Sequence, residues 1–142
     1  MSESILHEEY EVVQDDYANA GKVSSRIKDI LKQVGIDPKV LRNIAVACYE
    51  AEINLVIHAY GGKIFLDLMD DGTVKLVFAD RGPGIEDLEK AMTPGFSTAD
   101  EEARSLGFGA GMGLPNIKRV SDTFDIETSP EGTVLSLSFK GA

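Results

Sequence analysis

Four groups of residues in this chain have types and spacings that could do chemistry. The first is Glu50 with Asn54, four residues apart in "YEAEINLVIHAYGG". On a helix of about 100° per residue, Asn54 falls about 40° from Glu50 and Asn43 about 20° from it. A carboxylate and an amide then share one stripe, bordered by Val46, Ala47 and Ile57. That pair suits a general base with an amide oxygen one turn away to hold a cation. The same spacing also suits a solvated helix face. The second group is "DRGPGI", which sets Asp80 at the end of an apolar strand pattern, followed by Gly82 and Gly84. A carboxylate there can accept a hydrogen bond from an exocyclic amine, and the glycines let backbone approach a flat ligand. A tight turn formed by the aspartate is the plainer alternative.

The third group is "LGFGAGMGLPNIKRV", with Gly107, Gly109, Gly111 and Gly113 at alternate positions before a helical pattern. Each glycine costs a regular element roughly 0.5–1 kcal/mol relative to alanine. A function for bare backbone is that consecutive N–H groups cradle anions. The helix starting near Pro115 adds the positive end of its dipole, and proline is tolerated in a first turn. A flexible hinge is the alternative. No G-x-x-x-x-G-K-[ST] loop is present, and these glycines do not follow a strand within a βαβ unit, so neither common nucleotide fingerprint applies. The fourth is Thr133, after Gly132 at the entry to the last strand pattern. Its hydroxyl could reach a base directly or through water, and threonine is equally an ordinary strand former.

The elements that must position these groups are read from periodicity. Residues 5–13 read as a strand. Residues 17–35 space Val23, Ile27, Ile30, Leu31 and Val34 at helical intervals, with Gly35 as C-cap. Asp37-Pro38 is an N-cap with proline in the first turn of a long helix, stopped at Gly61-Gly62. On that helix Ile44, Cys48, Ala51, Leu55 and Ala59 form the expected core face, and His58 near its end suits the helix dipole. "KIFLDLMD" and "TVKLVFAD" flank Asp71-Gly72, a strong hairpin signal. Residues 86–92 read as a short helix, 93–113 as a long functional loop, and 114–122 as a helix. "TFDIETS" and "TVLSLSFK" form a last hairpin. This order implies an α+β sandwich: a mostly antiparallel mixed sheet with helices on one face.

The 142 residues fit one domain over 1–142, and 43% hydrophobic content can supply its core. A net charge of −10 argues against nucleic acid and against an anionic membrane surface. No run approaches the roughly 20 apolar residues that cross a bilayer. The acidic N-terminus is not a signal peptide. The single cysteine, Cys48, sits in an apolar run and reads as a small core residue. These features fit a cytoplasmic protein.

In this order and spacing, "YEAEINLVIHAYGG", "DRGPGI" and "GFGAGMGL" resemble the N, G1 and G2 boxes of the GHKL superfamily, the Bergerat-fold ATPases and kinases. The resemblance spans roughly residues 5–140. Within the superfamily the chain is most similar to the small serine kinases and anti-sigma factors of bacterial partner switching. "PGFSTADEEARSLGFGAGMGLPNIKRVSDTFDIETS" is particularly similar to the stressosome-type switch-kinase branch. The resemblance implies ATP and Mg²⁺ as ligands. It implies Glu50 as the base that orients or deprotonates the acceptor serine, and Asn54 as the Mg²⁺ ligand. Asp80 would accept from the adenine amino group, Gly82 and Gly84 would shape its pocket, and Thr133 would assist. Gly107, Phe108, Gly109, Ala110, Gly111, Met112, Gly113 and Leu114 would form the lid and phosphate cradle, with Lys118 near the phosphates. Implied partners are a STAS-domain antagonist that is phosphorylated, a sigma factor or a PP2C-type phosphatase, and the resemblance leaves a homodimer open. A binding regulator with little kinase activity is the alternative. Two departures stand out: Tyr49, where related kinases often carry a small residue, and the second acid Glu52.

Overall fold

Residues 3–13, 16–58, 61–81 and 113–140 are described in a computed structural model of the chain. Five strands form one sheet in the order β1-β2-β3-β5-β4. They are β1 (Ser4–Val12), β2 (Gly62–Met69), β3 (Thr73–Asp80), β4 (Thr123–Ser129) and β5 (Gly132–Lys140). All four pairings are antiparallel. Three helices, α1 (Lys22–Gln33), α2 (Pro38–His58) and α3 (Gly113–Val120), complete the described fold. The α+β class expected from the sequence stands.

Strand alternation decides which face is covered. Val74, Leu76 and Phe78 of β3 and Leu135, Leu137 and Phe139 of β5 are buried, together with Ile64, Leu66 and Leu68 of β2. With a period of two, these point to the same side and meet the helices there. Ile27 and Leu31 of α1, Ile44, Cys48, Ala51 and Leu55 of α2, and Ile117 of α3 close the core. The α2 core face is thus as the wheel implies, with Ala47 and Val56 added and Ala59 outside the described residues. Burial pushes the Cys48 thiol far above its usual range, as a small apolar core residue requires.

The local signals for starts and stops are met by hydrogen bonds. Asp37 Oδ1 accepts from the Lys39 N–H at 2.9 Å and its carbonyl from Leu41 at 2.8 Å, so α2 begins as Asp-Pro predicts. At the end of α1, Ile36 N–H donates to Leu31 O and Gly35 N–H to Lys32 O. With Gly35 at φ 87°, this is the Schellman termination. Val34 is the capping residue itself and is half exposed, not a core position. The β2–β3 hairpin turns through Asp70-Asp71-Gly72, with Gly72 at φ 88° and the Asp71 carboxylate accepting from the Thr73 N–H.

One expected helix is shorter than read. Tyr17–Asn19 is a single 3-10 turn, and α1 starts only at Lys22. The reason is Gly21, whose left-handed φ of 91° separates the two. The helix expected at 86–92 and most of the loop 93–113 lie outside the described residues. Among the described residues no helix is long and apolar enough to cross a membrane.

Candidate active site

The sheet end shared by β3 and β5 carries one cluster of the predicted residues, Asp80 and Thr133. Asp80 is the last residue of β3 and Thr133 the second of β5. Alternation with Phe78 and Leu135 turns both toward the helix-covered side. Asp80 Oδ1 accepts from the Thr133 backbone N–H at 2.8 Å. The Thr133 side chain, 7% exposed, meets the Thr128 hydroxyl of β4 at 2.9 Å. Thr128 had no local signal in the sequence. It enters because the two-residue turn after Ser129 sets it directly opposite Thr133.

Gly62 fixes where Asp80 sits. It pairs with Asp80 across β2 and β3. A Cβ at Gly62 would lie 2.3 Å from the Ala79 carbonyl oxygen and 3.0 Å from Asp80 Cα. The second glycine of the Gly61-Gly62 pair therefore permits a close strand approach, besides following the end of α2.

The second cluster lies between α2 and α3, which pack together. Glu50 and Asn54 are both half-buried on α2. Desolvation pushes the Glu50 carboxyl above its usual range, while a hydrogen bond with the Asn116 side chain of α3 opposes that rise. A carboxylate whose proton affinity has been raised, held on a rigid helix, is suited to take a proton at neutral pH. Gly113 is the first residue of α3 and Leu114 packs partly against the core. Lys118 is exposed on α3. Gly82, Gly84, Gly107, Phe108, Gly109, Ala110, Gly111 and Met112 lie outside the described residues.

The two departures, Tyr49 and Glu52, face α1. Glu52 is only 2% exposed, yet it is a carboxylate. Its Oε2 accepts from the N–H groups of Gly21 (3.0 Å) and Val23 (3.3 Å), and its Oε1 from Ser24 (2.8 Å). These are donors that the start of α1 cannot satisfy within the helix. The charge also meets the positive end of the helix dipole. Glu52 thus caps one helix from another. Tyr49, 41% exposed, lies against Gly21, whose Cβ would be 3.1 Å from its ring. A cleft of about 110 Å³ opens beside this junction, lined by Glu11, Asp16, Lys22 and Glu52 among others. Among the described residues, none of the predicted site residues lines it.

Among the described residues no three His, Cys, Asp or Glu side chains converge as a metal cage. Magnesium commonly takes one or two protein oxygens and fills the rest of its shell with water and phosphate. A half-buried amide one turn from a half-buried carboxylate, Asn54 after Glu50, fits that modest demand.

Comparison with known proteins adds to this geometry. Residues 13–139 match the family described as the histidine kinase-like ATPase domain. The anti-sigma F factor of Caldanaerobacter subterraneus subsp. tengcongensis is 36% identical over 110 residues, covering 72% of this chain and 73% of that protein. The serine/threonine-protein kinase RsbT of Bacillus subtilis is 32% identical over 110 residues, covering 75% and 77%. Among solved structures, the RsbU and RsbW domains of Rv1364c from Mycobacterium tuberculosis superpose with a TM-score of 0.61 at 20% identity. That match covers 92% of this chain and 32% of the longer one.

Proposed function

This chain belongs to the histidine kinase-like ATPase domain family, and from that premise we propose that it is an ATP-dependent serine-protein kinase of a partner-switching system. Its substrate would be a STAS-domain antagonist, and it would act as an anti-sigma regulator in the cytoplasm. The observation that carries the reading is the half-buried Glu50 carboxylate, raised in proton affinity and facing α3. The relatives named as an anti-sigma factor and as a serine/threonine-protein kinase support it.

In the reaction the acceptor seryl oxygen forms a bond to the γ-phosphorus of ATP. The bond from that phosphorus to the β–γ bridging oxygen breaks, its electron pair leaving on ADP, and the hydroxyl proton passes to Glu50. Positioning does most of the work in phosphoryl transfer. Asp80, fixed by the Thr133 N–H, offers a carboxylate to the adenine amino group. Thr133 and Thr128 close the polar wall beside it. Asn54 would hold Mg²⁺, which supplies charge neutralisation on the phosphates. Gly82, Gly84 and the glycines of 107–113 would line the base and phosphates.

Incubation with labelled ATP and a STAS-domain protein tests the reading. The expected result is a phosphoserine on the STAS protein, abolished in Glu50→Gln. A protein that binds ATP and retains a sigma factor or a PP2C-type phosphatase, yet labels nothing, is the binding regulator that the anti-sigma names also support. A protein with no affinity for adenine nucleotides in the presence of Mg²⁺ ends both readings.

A further inference from the structure

Charge is laid unevenly along this chain. Residues 22–42 hold Lys22, Arg26, Lys28, Lys32, Lys39 and Arg42 beside only two acids, Asp29 and Asp37. The segment is thus +4 in a chain of −10, and all other residues together carry −14. The six cations are exposed, and among the described residues none of them is in an ion pair. Their placement does little for folding. Lys22 and Lys39 stand in the first turns of α1 and α2, where a helix favours acids. Lys22 with Arg26, and Lys28 with Lys32, are like charges four residues apart, which repel on a helix. Asp29 is the one acid on α1, and Asp37 is engaged in capping α2. Lys32 alone suits its helix dipole, in the last turn of α1.

An apolar stripe runs through this basic face. Val46 and Tyr49 are 40% and 41% exposed, and with Arg42 they fall within about 60° on α2. The helices α1 and α2 run antiparallel. Residues 34–37 join them at one end, and Glu52 holds the Gly21 and Ser24 N–H groups at the other. With equal rise per residue, Lys28 lies level with Val46 and Lys32 with Arg42. Val46 is one turn before Glu50 and about 40° from it, so the stripe borders the proposed base.

We propose that this face of α1 and α2 docks the phospho-acceptor protein through an acidic surface. An apolar side chain of the acceptor would seat on Val46 and Tyr49, and its carboxylates would meet Lys28, Lys32 and Arg42. This rests on the kinase reading and adds to it the chemistry that selects the acceptor. Charge complementarity names the occupant: a folded partner can present a local acidic patch, whereas the −14 of the remaining chain repels an extended polyanion or an anionic bilayer.

The test uses the full chain with a STAS-domain protein, comparing Tyr49→Ala, Lys28→Glu and the double variant Lys32→Glu/Arg42→Glu with wild type. Lys75→Glu, at an exposed site on the open sheet face, is the control. The KM for the acceptor rises roughly 30-fold in Tyr49→Ala, as for an aromatic anchor. It rises about 10-fold in the double variant, less so at high salt. The kcat at saturating acceptor and the KM for ATP stay within about twofold, and Lys75→Glu matches wild type. Lys28→Glu puts an acid four residues before Lys32, the favourable order, so its melting temperature holds or rises while acceptor KM rises. If wild type labels the acceptor and these variants leave its KM unchanged, the docking surface is overturned and the kinase reading stands. A change of oligomeric state in the double variant, with acceptor KM unmoved, assigns the face to a second copy and also overturns it. If wild type labels nothing, the kinase reading fails, and calorimetry with the same STAS-domain protein decides. Binding that the double variant abolishes supports the surface; binding that it leaves intact, or no binding, overturns it.

Discussion

Glu52→Gln is the substitution whose outcome the structure determines most sharply. The change keeps shape and removes charge at a side chain accepting three backbone N–H groups. Hydrogen bonds to a charged group are worth about 1.5–3 kcal/mol each, against about 0.5–1.5 for neutral ones. The amide oxygen can keep Gly21 and Val23, each weakened. The amide NH₂ then meets the Ser24 N–H, and a buried orphan donor costs about 1–3 kcal/mol. Loss of the charge at the start of α1 removes up to about 2 kcal/mol more. Against these stands the desolvation of the native carboxylate, several kcal/mol, which glutamine avoids in part. The balance is a destabilisation of about 3 kcal/mol, or roughly 10 °C in melting temperature for a domain of 142 residues. Urea and thermal unfolding followed by far-ultraviolet circular dichroism measure it. The control is Glu50→Gln, the same chemical change two residues away. There burial raises the carboxyl's pKa, so stability is greatest below the unfolded value of 4.5 and falls as pH rises through the folded one. A neutral glutamine therefore raises the midpoint at neutral pH. If Glu52→Gln melts within about 2 °C of wild type, the capping account is wrong.

Four further outcomes follow from the same geometry. Glu50→Gln retains ATP affinity in calorimetry and loses about 10²–10⁴-fold in transfer, the usual scale of general-base assistance. Asp80→Asn keeps an oxygen for the Thr133 N–H. It folds normally and binds ATP roughly 10- to 100-fold more weakly, as loss of a charged acceptor implies, and unchanged affinity removes Asp80 from the adenine site. Gly62→Ala forces its methyl group against the Ala79 carbonyl; it loses about 1–3 kcal/mol by denaturant titration and weakens ATP binding by moving Asp80. On the open sheet face, His7 Nδ1 lies 2.8 Å from Asp67 Oδ1. The pair raises the His7 pKa and lowers that of Asp67. Its stabilisation is complete between the unfolded values of 3.8 and 6.5. It fades as pH rises through the folded His7 value or falls through that of Asp67. His7→Ala should lower the melting temperature most inside that window and converge on wild type above it.

Features whose causes lie within a few residues were legible in the sequence. Asp37-Pro38, Gly35 and Asp71-Gly72 each satisfy or redirect backbone one to three residues away, and each behaves as read. Core positions on α2 followed from the helical period, since one face meets the sheet. The misreadings share a different cause. The stretch 17–21 has helical spacing, but one left-handed glycine at 21 resets the backbone. Glu52 stood only as a departure from the family pattern because its partners are 28 to 31 residues earlier. Asn116 and Thr128 matter only through tertiary neighbours, and Gly62 through a strand approach that no local pattern encodes. Asp80 and Thr133 were picked out separately in the sequence, and the structure joins them through one hydrogen bond.

The two acids of "EAEIN" lie about 200° apart on α2, so one helix acts as a spindle with the proposed base on one flank and its own bearing on the other. A displacement of α3 would reach Glu50 while the anchorage to α1 stays seated. The chain can thus tune the reactive side by substitution without loosening the frame: changes at Glu50 leave the cap of α1 in place, whereas changes at Glu52 remove it and lower the melting temperature.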